Sequence, residues 1–104
     1  MFQATILGNL TRDAVQRTLA DGRQMMSFTV AANGYKEDET VFCDVLTRYS
    51  EGVFNYLRKG QQVVLMGRCS IRLESGYLGV HVYPDVVQLC GSRREESAAE
   101  TPVV

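Results

Sequence analysis

The chain has no pair of cysteines at CxxC spacing: Cys43, Cys69 and Cys90 stand far apart. That argues against both a zinc site and a disulfide framework, and the three read as reduced, small core residues of a cytosolic protein. An excess of either charge is also lacking. Eleven Lys and Arg oppose twelve Asp and Glu, for a formal net charge of -1, so polyanion binding by bulk charge is excluded and any such site must be local. No apolar run approaches the roughly 20 residues that a membrane helix needs, and no membrane partner is expected. The N-terminal MFQATILGNLTRD has no basic leader, and Gln3, Thr5 and Gly8 interrupt its apolar stretch, so it does not read as a signal peptide. Tryptophan is absent and the single histidine, His81, falls mid-strand by pattern with no nucleophile motif beside it. With no Gly-rich phosphate loop either, no catalytic site, metal or cofactor is expected, and the chain reads as a binding module and not an enzyme.

What is present fits one domain: 104 residues, 45% hydrophobic and 22% charged. Composition separates a body, residues 1–91, from a tail, 92–104, whose SRREESAAETPVV has no aromatics and no periodic apolar residues and is expected to be disordered. In the body, Thr, Val, Phe and Tyr recur in alternating runs between Gly, Asp and Asn, the mark of half-buried strands. The first runs from Phe2 to about Leu10 and resumes as AVQRTL, and Asp21-Gly22 then predicts a hairpin turn into QMMSFTVAANGY. There Met26, Phe28 and Val30 share one face and Ser27, Thr29, Ala31, Asn33 and Tyr35 the other. TVFCDVLTR predicts a third strand with Val41, Cys43 and Val45 opposite Phe42, Asp44, Leu46 and Arg48. One helix follows, capped by Ser50, with Val53, Phe54 and Leu57 as its apolar stripe and Gly60 as its stop. Period two then returns, with Val63, Leu65, Gly67, Cys69 and Ile71 in one row and Val64, Met66, Arg68, Ser70 and Arg72 in the other. Glu74-Ser75-Gly76 turns the chain into a last strand, YLGVHVYPDVVQL, where Pro84 predicts a bulge or an edge.

An all-β chain of five strands with one short helix between strands 3 and 4 has the order of an OB-fold, a Greek-key barrel that binds oligonucleotides or oligosaccharides. Pattern alone leaves a split sandwich or an SH3-like barrel open. The outward rows place Tyr35, Phe42, Arg48, Arg68 and Arg72 on one exposed surface, with small residues between them. Rings interleaved with cations suit a single nucleic-acid strand, whose bases stack for about 1–3 kcal/mol each while Lys and Arg meet phosphates. Packing of Tyr35 and Phe42 under a loop or in a subunit contact fits the same pattern.

ILGNLTRDAV, SFTVAANGY, NYLRKGQQVVLMGRCSIR and DVVQLCGSRR, in that order, resemble the bacterial single-stranded DNA-binding protein family. The resemblance rests on Gly8, Asn9, Leu10 and Asp13 after the first strand, and on Tyr56, Leu57, Lys59, Gly60, Gly67 and Arg68 across the helix end and fourth strand. It implies an OB-fold, sequence-independent binding of single-stranded DNA, and protection of exposed strands in replication, recombination and repair. A homotetramer is implied, with a dimer as the alternative, in the cytoplasm and associated with the nucleoid. The family's stacking positions fall on Phe42 and near Tyr35, and Arg72 matches a basic position; Arg12, Lys36 and Tyr77 complete the expected contacts.

Departures from the family pattern carry expectations of their own. Arg48 stands where a second aromatic is usual, Asp44 where a basic or neutral residue is usual, and Tyr77 is the ring nearest a hairpin tip that lacks its aromatic. Arg48 can stack by its guanidinium plane, but Asp44 repels phosphate, so weaker binding or a smaller footprint is expected. The ending Glu100-Thr101-Pro102-Val103-Val104 lacks the family's acidic tip, which puts recruitment of replication and repair proteins in doubt and suits an auxiliary, phage or mobile-element paralogue. Two other readings stay open on sequence: a primosome-type OB-fold accessory protein acting mainly through protein partners, and an OB-fold enzyme subunit or oligosaccharide binder.

Overall fold

The period-two rows of the sequence become the inner and outer faces of one curved sheet. A computed structural model describes residues 2–33 and 39–90, with Tyr77 described by its backbone only; Tyr35, Lys36 and the tail 92–104 lie outside the described residues. The elements are β1 (Gln3–Leu10), β2 (Val15–Thr18), β3 (Gln24–Asn33), β4 (Thr40–Arg48), α1 (Glu51–Phe54), β5 (Gln62–Glu74) and β6 (Tyr77–Cys90). β5 pairs antiparallel with β1 and with β6, β6 runs parallel to β4, and β4 pairs antiparallel with β3. Pairing of Asn9 and Leu10 with Ala31 and Val30 of β3 closes the ring. The result is a five-stranded OB-fold barrel, with α1 between its third and fourth strands and β2 added to β3 as a hairpin.

Closure brings backbone close to backbone at Gly8, where a Cβ would stand 2.5 Å from the Ala31 carbonyl oxygen and 2.6 Å from the Val30 side chain. Only glycine fits that crossing. Inside, Met26, Phe28, Val30, Cys43, Val45, Val63, Leu65 and Val82 are buried, and Leu10 and Leu57 join them in the same cluster. Each such apolar side chain stabilises the fold by about 1.5–3 kcal/mol when fully buried. Burial, with Cys69 and Asp44 adding to it, pushes the Cys43 thiol above its ordinary pKa, which leaves it a poor nucleophile. The inward rows outrun the barrel: Val41 and Ile71 follow the core period yet are exposed, because their strands extend past the closed ring.

The helix is much shorter than the span from Ser50 to Gly60 predicted from its apolar stripe. Helical hydrogen bonding covers four residues, and Ser50 makes no side-chain cap. Turns carry the rest of the segment, and the stripe still reaches the core through Leu57, with Val53 and Phe54 packed against it. Tertiary burial, not helix propensity, therefore sets this segment's shape. Pro84 does sit at an irregularity. The register of β5 against β6 shifts between Met66 and Gly67, opposite Pro84, so the bulge alternative holds; the pairing of β6 with β4 covers only Val80 to Val82, so Pro84 lies past it, where β6 pairs with β5.

Candidate nucleic-acid interface

Residues directly opposite one another on paired strands point to the same side of a sheet, so the register fixes which side chains share the outer face. The β4 row Phe42, Asp44, Leu46 and Arg48 lies opposite Ala31, Thr29, Ser27 and Met25 of β3. Asp44 also lies opposite His81 of β6. His81 in turn faces Ser70, and Tyr83 faces Arg68. On the far side, Ser27 and Met25 face Val15 and Arg17 of β2. One continuous row thus crosses five strands.

The expected site residues fall along this face. Phe42 is 61% exposed and stands beside the small Ala31, as a platform for stacking requires. Arg48 shares its strand and face but sits six residues on, roughly 20 Å away at about 3.3 Å per residue, so the two cannot touch one base. Arg68 and Arg72 both converge on Tyr83. The Arg68 guanidinium carbon lies 5.4 Å from the centre of the Tyr83 ring, and Arg72 donates a 2.7 Å hydrogen bond to the Tyr83 hydroxyl. Arg12 lies beyond the end of β1, exposed at the rim of a groove. Tyr77 lies opposite Glu74.

That groove, about 560 Å³, runs between β2 and β6 over the floor made by β3 and β4. Arg12, Arg17 and Val15 line one wall, His81 and Tyr83 the other, and Ser27, Thr29, Asp44 and Leu46 the floor. Arg17 donates to the Ser27 hydroxyl over 2.8 Å, and Thr29 donates to Asp44 Oδ1 over 3.1 Å. His81 Nε2 lies 2.9 Å from Glu74 Oε2. Room for this pair comes from Gly79, where a Cβ would collide with the Glu74 carboxylate and stand 3.2 Å from His81 Nε2. At the foot of the groove Asp13 accepts from the Lys59 backbone N–H at 2.9 Å and from the Arg58 guanidinium at 3.2 Å. Those two bonds hold its pKa below the ordinary carboxylate value.

Reading the sequence missed Tyr83, Arg17 and the Glu74–His81 pair. Tyr83 did carry a signal, since it continues the period-two row of Gly79 and His81 and is the one ring on that row next to the bulge proline. Arg17 carried little, because β2 is too short for its alternation to be read.

The model of the Single-strand binding protein family matches residues 1–83 of the chain. The chain is 32% identical over 109 aligned positions to the single-stranded DNA-binding protein of Lactiplantibacillus plantarum, covering 97% of this chain and 54% of that protein. To its counterpart from Bacillus cereus it is 31% identical over 90 positions, covering 80% and 53%. The chain therefore spans about half the length of the curated relatives it matches. Among solved structures, the small single-stranded DNA-binding protein from Streptomyces coelicolor superposes with a TM-score of 0.72 at 20% identity, covering 86% of this chain and 94% of that one. The Thermus aquaticus single-stranded DNA-binding protein, as a deletion mutant, gives 0.70 at 22% identity, covering 93% and 44%. At that level of identity the two structures speak for the fold.

Proposed function

The chain belongs to the single-strand binding protein family, and we propose that it binds single-stranded DNA on the outer face of β3, β4, β5 and β6, largely without regard to sequence. The observation that carries this reading is one outer face that holds Arg17 and Tyr83 in the groove and Phe42, Arg68 and Arg72 beside it. Rings accept bases of any identity because every base has a π-face, and the arginines neutralise phosphates. A local cluster of cations also answers the near-zero net charge. Arg12 belongs to the groove, Arg48 extends the proposed path along β4, and Tyr35, Lys36 and Tyr77 are proposed as further contacts on the family pattern.

Protection of exposed strands in replication, recombination and repair, in the cytoplasm and at the nucleoid, is the role that such binding would serve. The protein would work as a homo-oligomer, a tetramer in the first instance. Support for assembly comes from β1: only its end, Asn9 and Leu10, pairs with β3, and its outward Leu7 is 56% exposed. An edge that invites strand addition is satisfied by a symmetry mate. Two or more faces on one particle would then hold one strand with the gain of multivalency.

A gel shift with labelled oligo-dT, paired with quenching of tyrosine emission, tests the reading. Binding is expected with both signals. Failure of oligo-dT to shift at micromolar protein, with the barrel folded, would reject it.

A further inference from the structure

Asp44 sits exposed on the floor of the groove, where its negative charge opposes phosphate but its oxygens can accept hydrogen bonds from a base. We propose that Asp44 reads a base: it selects guanine at one position of a strand that is otherwise held without regard to sequence. The proposal rests on the reading of this groove as a path for single-stranded DNA.

Placement is the first argument. Arg12 and Arg17 line one side of the groove, and Arg68 and Arg72 flank Tyr83 on the other. A backbone drawn to either set of cations turns its bases toward the floor. There Leu46 offers apolar surface and Asp44, two residues before it on β4, offers a carboxylate, with the Tyr83 ring on the wall beside them. The volume of about 560 Å³ lies within the usual range of small-molecule pockets, about 300–1,000 Å³. Thr29 takes one lone pair of Asp44 Oδ1, and a carboxylate has about four acceptor sites. Both oxygens thus keep the capacity to accept. Glu74 engages Nε2 of His81, and Asp44 lines the groove.

Base chemistry is the second argument. An unpaired base presents its Watson–Crick edge to the protein, and a carboxylate accepts but cannot donate. Guanine places N1–H and N2–H side by side, two parallel donors for two oxygens. Thymine has one N–H between two carbonyls that face the carboxylate unfavourably. Cytosine and adenine each pair an amino donor with an unprotonated ring nitrogen, whose lone pair also opposes it. Only guanine satisfies both oxygens without a repulsive neighbour.

The test compares labelled oligo-dT with the same oligomer carrying a single internal guanine, and a third carrying inosine, which lacks the N2 amino group. A good bidentate pair corresponds to about a tenfold preference. The guanine strand should bind wild-type protein about tenfold tighter than oligo-dT, with inosine between them. Asp44→Asn, which can accept at one oxygen only, should shrink that ratio, and Asp44→Ala should bring it to unity. A ratio is unaffected by a general loss of stability. Equal wild-type affinity for the thymine and guanine strands, or a preference unchanged in Asp44→Ala, would overturn the assignment while leaving the groove reading intact. Absence of binding to all three strands would overturn the groove reading and the assignment together.

Discussion

Arg72 donates a 2.7 Å hydrogen bond to the hydroxyl of Tyr83, and the ring that carries that hydroxyl lies under the Arg68 guanidinium. Two cations four residues apart on β5 are thereby tied to one aromatic on β6. The ring is held in place with one cation over its face and another at its hydroxyl. Tyr83→Ala should weaken oligo-dT binding by about 1–3 kcal/mol, the usual value of one stacked base, whereas Tyr83→Phe keeps the ring and should lose little. Fluorescence anisotropy of a labelled oligonucleotide distinguishes the two. Equal losses would mean that the hydroxyl and not the ring matters.

Phe42 is 61% exposed, lies opposite Ala31 and is outside the buried cluster of the described residues. Phe42→Ala is expected to reduce oligo-dT affinity by about 1–3 kcal/mol while the melting temperature stays close to wild type. An early melt with affinity per folded molecule preserved would make Phe42 a packing residue.

Charge reversal at Arg68 or Arg72 should flatten the salt dependence as well as weaken binding. For single strands each phosphate neutralised contributes roughly 0.7 to the slope of log K against log salt. Titrations at several salt concentrations read that slope directly, and an unchanged slope removes the residue from the path.

Asp13 links the end of β1 to the segment before β5 through the Lys59 N–H and Arg58. Its carboxyl is held below its ordinary value, first by the backbone bond and then by the guanidinium. A lowered folded-state pKa means that the stabilising contribution is present above the unfolded value of 3.8 and is lost as pH falls through the folded one. Asp13→Ala should therefore melt earlier than wild type at neutral pH, and the gap should close in strong acid. A gap that persists unchanged when the carboxyl is protonated would assign the effect to something other than these bonds.

Mass in solution tests the assembly. Light scattering at micromolar concentration should give a multiple of the 11.6 kDa chain, most simply four. A monomer that still binds oligo-dT tightly would reject pairing through β1 and the avidity argument with it.

Sequence alone determined the alternation of inner and outer rows, the turns at Asp21-Gly22 and Ser75-Gly76 and the outward placing of Phe42, Arg68 and Arg72, because each depends on neighbours two residues away or on one backbone conformation. At Ser75 and Gly76 the φ angles are 49° and 86°, the left-handed pair that a tight hairpin turn demands. Family resemblance added the barrel topology. Helix length escaped the sequence, since Leu57 reaches the core whether or not the segment is helical. Tertiary structure decided the rest. The parallel pairing of β4 with β6 sets Asp44 opposite His81, and the folded hairpin brings Glu74 to His81 and Arg72 to Tyr83. The first of these meetings follows from closure of the whole barrel, which no local pattern of residues announces; the other two depend on how far Glu74 and Arg72 reach along a hairpin whose register the turn sets.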